Sequence, residues 1–107
     1  MDNVITVSEN NTITLSLSLR KRLGDPSAYH KNSSDSKELF LFWAYRGHKK
    51  YVVIHTNIHF EHSPGYAYSG CIKEGKIVIP SDLAKPGQML VWDKKVYPSV
   101  PIWFEVL

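Results

Sequence analysis

Two runs separated by four residues constrain this chain more than any other part of it. Glu38 to Tyr45 (Glu-Leu-Phe-Leu-Phe-Trp-Ala-Tyr) is apolar at every position after the first, and Lys50 to Phe60 (Lys-Tyr-Val-Val-Ile-His-Thr-Asn-Ile-His-Phe) is rich in β-branched residues. Branching at Cβ suits a pleated strand better than a helix, and a continuous apolar run marks a strand covered on both faces. Arg46-Gly47-His48-Lys49 between them carries the glycine of a hairpin, so the two runs are expected to pair antiparallel, with Glu38–Tyr45 the best-buried strand.

A second stretch, Gly75 to Asp93, repeats the theme with shorter strands. Lys76 to Ile79 is a β-branched run stopped by Pro80, which has no N–H to give a ladder. Ser81-Asp82-Leu83-Ala84-Lys85 offers a cap-type residue and enough chain for one helical turn before Pro86-Gly87 forces a bend. Gln88 to Trp92 then sets Met89 and Val91 against Leu90 and Trp92, apolar on both sides, so this strand too is expected to be covered twice.

The remaining segments read in the same way. Val4 to Val7 is a short edge strand followed by a turn at Ser8-Glu9-Asn10-Asn11, and Ile13 to Leu19 alternates apolar and hydroxyl residues strictly, the pattern of a half-buried strand. Residues 20–37 hold Arg20-Lys21-Arg22, Gly24-Asp25-Pro26 and a Ser/Asn/Lys-rich tract, so they read as one long polar loop. Tyr66 to Ile72 is a further strand, with Gly70 suggesting a bulge, and Ile102 to Leu107 closes the chain as an apolar strand that needs a partner. The expectation is an all-β protein: an antiparallel β-sandwich, immunoglobulin-like or jelly-roll, of seven or eight short strands in a single domain spanning 1–107.

A chain of 107 residues buries roughly two thirds of the surface its unfolded form exposes, enough for a core without metal or disulfides. Cys71 is the only cysteine, which excludes an intrachain disulfide and favours a packed thiol. No run approaches the ~20 apolar residues of a membrane span, so a soluble protein is expected. A formal charge of +3 is too small for a nucleic-acid footprint.

The chemistry-bearing residues form no recognisable catalytic set. His55 and His59 have helical metalloprotease spacing but lack the intervening Glu, and on a strand they lie about 13 Å apart, too far to share an ion. His59 and Glu61, about 7 Å apart on one strand face, are the residues a metal site would use; the simpler reading makes them polar groups on a solvent-facing side. Asp82 and Asp93 read as a cap and a strand-end residue, and there is no G-x-S-x-G, CxxC or phosphate loop. No enzyme activity, cofactor or metal is expected. Binding, if any, is assigned to Tyr29, His30, Tyr66, Tyr68 and Trp103, aromatic or polar groups in or near loops and at the C-terminal strand.

The order of an alternating strand, a polar loop, a Leu/Phe-rich strand and a hairpin is followed by Ile79-Pro80, Leu83, Pro86-Gly87 and the strand after them. In that order the chain resembles the small β-sandwich modules of tailed-bacteriophage virion proteins, such as baseplate, capsid and fibre proteins. The resemblance implies a structural or assembly module: a homo-oligomer docking to copies of itself or to other virion subunits, made in the host cytoplasm and located in the virion. The alternative is a carbohydrate-binding sandwich whose loop aromatics meet a host-surface glycan. A metal-dependent enzyme on His55, His59 and Glu61 is the third.

Overall fold

A computed structural model of the chain, describing residues 4–56, 68–93 and 101–107, is organised around the hairpin of β3 (Ser36–Arg46) and β4 (Lys49–His55). They pair antiparallel from Arg46↔Lys49 to Phe40↔His55. Gly47 enters the turn at φ 63, the left-handed region where glycine carries no Cβ penalty. On one side β3 pairs with β5 (Tyr68–Lys73), then β6 (Lys76–Val78) and β2 (Thr12–Thr14); on the other, β4 pairs with β8 (Ile102–Val106), then β7 (Met89–Trp92) and β1 (Val4–Thr6). All seven pairings are antiparallel, so the all-β antiparallel expectation holds, with eight strands among the described residues.

The end strands β1 and β2 are consecutive in the chain and meet at a turn where the Ser8 N–H donates to the Thr12 carbonyl at 2.9 Å. A sheet whose two ends touch must curl, and its concave side holds the main core. Leu39 and Leu41 of β3, Val52 and Ile54 of β4, Ile102 and Phe104 of β8, Ile77, Ile79 and Leu90 are each at most 1% exposed there. Burying one such side chain is worth about 1.5–3 kcal/mol. The opposite face carries a smaller cluster of Phe42, Ala44, Tyr51, Val53 and Trp103, with the Tyr51 and Trp103 rings edge to face at 5.4 Å. The apolar run of β3 is thus explained by alternate residues serving two clusters.

Four expectations are corrected. The Ile13–Leu19 alternation is not one strand: β2 ends at Thr14, and Ser16 caps α1 (Leu17–Leu23), its hydroxyl accepting from the Leu19 N–H at 3.5 Å. Leu19 and Leu23, four apart on one helical face, are fully buried while Leu17 is 52% exposed, the reverse of what a strand continuing the alternation would do. Residues 20–37 are likewise not one long loop. Arg20-Lys21-Arg22 forms the last turn of α1, where cations complement the carbonyl end; Gly24 closes it at φ 79, α2 (Pro26–Tyr29) follows, and β3 begins at Ser36.

Gly70 marks no bulge. The β3–β5 register runs unbroken from Ser36↔Lys73 to Leu41↔Tyr68, and a Cβ on Gly70 would lie 2.9 Å from Leu41 Cδ1. The glycine makes room for a core leucine. Finally, β7 is fully covered on one side only: Leu90 and Trp92 join the core, while on the other side Val91 is half-buried and Met89 is 44% exposed.

Candidate functional site

At one end of the concave face the core gives way to an open cleft of about 750 Å3. Its floor comes from the sheet. Trp43 lies directly across from Val52 in the β3–β4 register, Lys50 sits two residues before Val52 on the same face of β4, and Tyr68 stands opposite Leu41 at the start of β5. Its other wall is the β6–β7 connection, which contributes Ser81, Asp82, Ala84, Lys85 and Gln88.

That connection is anchored from below. Leu83 and Ala84 are buried, and the Leu83 and Ala84 N–H groups both donate to the Pro80 carbonyl, closing the single turn the sequence suggests. The Asn11 side-chain amide donates to the carbonyls of Ile79 at 2.6 Å and Ala84 at 2.9 Å, tying the β1–β2 turn beneath the wall. Asn11 adopts φ 58, which asparagine tolerates better than most residues.

Two hydrogen bonds join floor to wall. The Tyr68 hydroxyl donates to Asp82 Oδ2 at 2.8 Å, and Lys50 Nζ donates to the Asp82 carbonyl at 3.1 Å. Asp82, read from the sequence as a cap, therefore acts as the clasp of the cleft. Gln88 Oε1 accepts the Lys85 N–H at 2.7 Å. Above the floor Tyr45, 57% exposed and opposite Lys50 in register, holds its ring 6.3 Å from that of Trp43, extending the aromatic surface toward solvent. Among the described residues the cleft thus combines aromatic faces with two ammonium groups, one carboxylate, an amide and two hydroxyls.

Of the residues assigned to binding from the sequence, Tyr68 lines this cleft. Tyr29 is exposed and donates its hydroxyl to the Lys21 carbonyl, and His30 follows α2, its N–H donating to the Pro26 carbonyl; neither lines the cleft. Trp103 is 2% exposed within the smaller cluster, which removes it as a surface platform: the final strand pairs between β4 and β7 and buries it. Tyr66, His59, Glu61 and His62 lie outside the described residues. His55 is half-buried at the end of β4, and burial holds its imidazole below the ordinary value. Among the described residues no three His, Cys, Asp or Glu side chains gather as metal ligands, and no helix is long and apolar enough to cross a membrane.

Cys71 is exposed rather than packed, because its neighbour Ile72 takes the buried side of β5. Trp43, Lys50, Lys85 and Gln88 escaped the sequence reading. Trp43 looked like core, and the signal that could have separated it is positional: Trp43 lies near the hairpin end of β3, where the next pair on its face is Tyr45 opposite Lys50 rather than another apolar pair. Comparison of the chain with protein-family models, with curated proteins and with solved structures finds no match.

Proposed function

We infer that the protein is a non-enzymatic binding module whose cleft takes a carbohydrate ring. The observation that carries this reading is the half-buried Trp43 ring set beside hydrogen-bonding groups held in place by the Tyr68–Asp82 and Lys50–Asp82 bonds. A sugar has an apolar C–H face that stacks on an aromatic ring, and hydroxyls that need oriented polar partners. The cleft volume, about 750 Å3, lies within the range of small-ligand sites. Binding rather than hydrolysis is favoured because glycosidases flank the scissile bond with two carboxyl groups, whereas among the described residues Asp82 is the one carboxylate lining this cleft.

The test is titration of the folded protein with neutral, N-acetylated and acidic oligosaccharides, followed by tryptophan fluorescence. Binding to at least one class is expected, weakened several-fold in Trp43→Ala, since aromatic stacking is worth about 0.5–1.5 kcal/mol. Gln88→Ala, at a position with less packing to lose, is expected to weaken it by a smaller factor. No binding across the three classes would overturn the reading.

A second reading, assembly into a virion, is supported by the outer face of β1, β7 and the chain end. Val4, Met89 and Leu107 are 38%, 44% and 57% exposed on one side of adjacent strands, with the Leu107 N–H donating to the Met89 carbonyl. Such a strip suits association with copies of the same chain. Light scattering across a concentration series tests it: a stable oligomer dispersed by Met89→Lys supports assembly, and a monomer throughout argues against it.

A further inference from the structure

The cleft is unevenly supplied with hydrogen-bonding groups. Lys50 spends one of its three ammonium protons on the Asp82 carbonyl. Gln88 has its oxygen occupied by the Lys85 N–H, which leaves its amide nitrogen as a donor. The exposed Lys85 ammonium and the Ser81 hydroxyl add further donors at the rim. Against these stands Asp82, one of whose carboxylate oxygens already accepts the Tyr68 hydroxyl. Among the described residues two ammonium groups face one carboxylate, so this lining carries a net positive charge and an excess of donors over acceptors.

We propose that the cleft selects acidic sugars, the carboxylate of a uronic acid lying between Lys50 and Lys85 while its ring stacks on Trp43. A neutral sugar presents hydroxyls that donate as well as accept, and it would leave part of this donor set facing water. A carboxylate accepts only, and its bonds to ammonium groups are charge-assisted. Lys50 is the better placed of the two lysines. It is half-buried and held by the Asp82 carbonyl, so it loses less freedom on binding than the exposed Lys85.

This inference rests on the carbohydrate reading of the cleft, and a matched pair of ligands separates the two. A β-1,4-linked glucuronic acid trisaccharide and cellotriose differ only in the oxidation of C6. At low salt the acidic trisaccharide is expected to bind at least tenfold tighter, and the preference is expected to shrink several-fold at high ionic strength, where exposed charges are screened. Lys85→Gln and Lys50→Gln are each expected to lower the ratio of acidic to neutral trisaccharide affinity several-fold. Acetate at equal concentration is not expected to compete. Equal binding of both trisaccharides overturns the acidic selectivity and leaves the carbohydrate reading standing; binding of neither overturns both. Competition by acetate as strong as by the acidic trisaccharide would mark a general anion site and overturn the selectivity for sugars.

Discussion

The Asp25 carboxylate accepts the backbone N–H of Gly75 at 2.9 Å, fifty residues away in sequence, and so fastens the helical segment to the β5–β6 turn. Asp25 is fully buried, with Arg20 Nε 3.1 Å from its Oδ2, and it also accepts from the Ser27 N–H and hydroxyl. Burial by itself pushes its carboxyl up, but the bonds from the Ser27 N–H, Arg20, the Ser27 hydroxyl and the Gly75 N–H outweigh it and hold the group below its ordinary 3.8. A carboxyl that binds protons less readily when folded stabilises the fold above 3.8, and that contribution is lost as pH falls through the lower folded value. Asp25→Asn is therefore expected to lower the unfolding free energy at neutral pH by about 2–4 kcal/mol. Its acid-side decline in denaturant titrations should be shallower than the wild type's; an equal deficit at neutral pH and well below 3.8 would contradict the linkage.

His55 sets a separate window. Burial holds its imidazole below the ordinary 6.5, so the folded chain resists its protonation. The sign follows: the stability this contributes is present above 6.5 and is lost as pH falls from there through the lower folded value. His55→Gln is expected to flatten the stability profile in that range, measured by thermal melts at stepped pH, while leaving the Asp25 window unchanged.

Asn11 combines an unusual backbone angle with two side-chain bonds, and the two contributions can be separated. Asn11→Gly keeps access to φ 58 but loses the bonds to Ile79 and Ala84; Asn11→Ala loses both advantages. Chemical denaturation is expected to show a loss of about 1–3 kcal/mol for Gly and about 1 kcal/mol more for Ala. Because the bonds sit beneath the cleft wall, both variants are also expected to weaken ligand binding. An unchanged affinity in a folded variant would disconnect the turn from the cleft.

Gly70 tests the packing of the sheet's concave side. Alanine there would place its Cβ 2.9 Å from Leu41 Cδ1, and Leu41 is fully buried. Overpacking of this kind costs about 1–3 kcal/mol. Leu41→Val withdraws the offending carbon, so in a double-mutant cycle Gly70→Ala is expected to cost less in the Leu41→Val background than in the wild type. Additive effects would place the strain elsewhere.

What the sequence made legible was the set of strands whose pattern has one interpretation. The β3–β4 hairpin could be read because two long apolar runs flank a glycine, and β6 because Pro80 ends it. The helices could not, because Leu15-Ser16-Leu17-Ser18-Leu19 satisfies a period of two over five residues while Leu19 and Leu23 satisfy the helical spacing. A serine within an alternating strand and a serine capping a helix are the same letter. Asp25 was passed over in a polar tract although it is the one buried charged residue among those described. The cleft was half legible: Tyr68 stood out as an aromatic near a turn, but the approach of Asp82 and Gln88 to Lys50 depends on how the β6–β7 connection folds over the sheet, a long-range arrangement no local pattern encodes.

The central claim is that the Trp43–Tyr68–Asp82 cleft is where this protein meets its ligand. Amide and indole chemical shifts of isotope-labelled protein, followed while the glucuronic acid trisaccharide and then cellotriose are added, test it most directly. The expected result is a saturable set of shifts centred on the Trp43 indole, Lys50, Tyr68, Asp82 and Gln88. Shifts absent for both sugars, or centred on Tyr29 and His30 or on the Val4–Met89–Leu107 face, would contradict it.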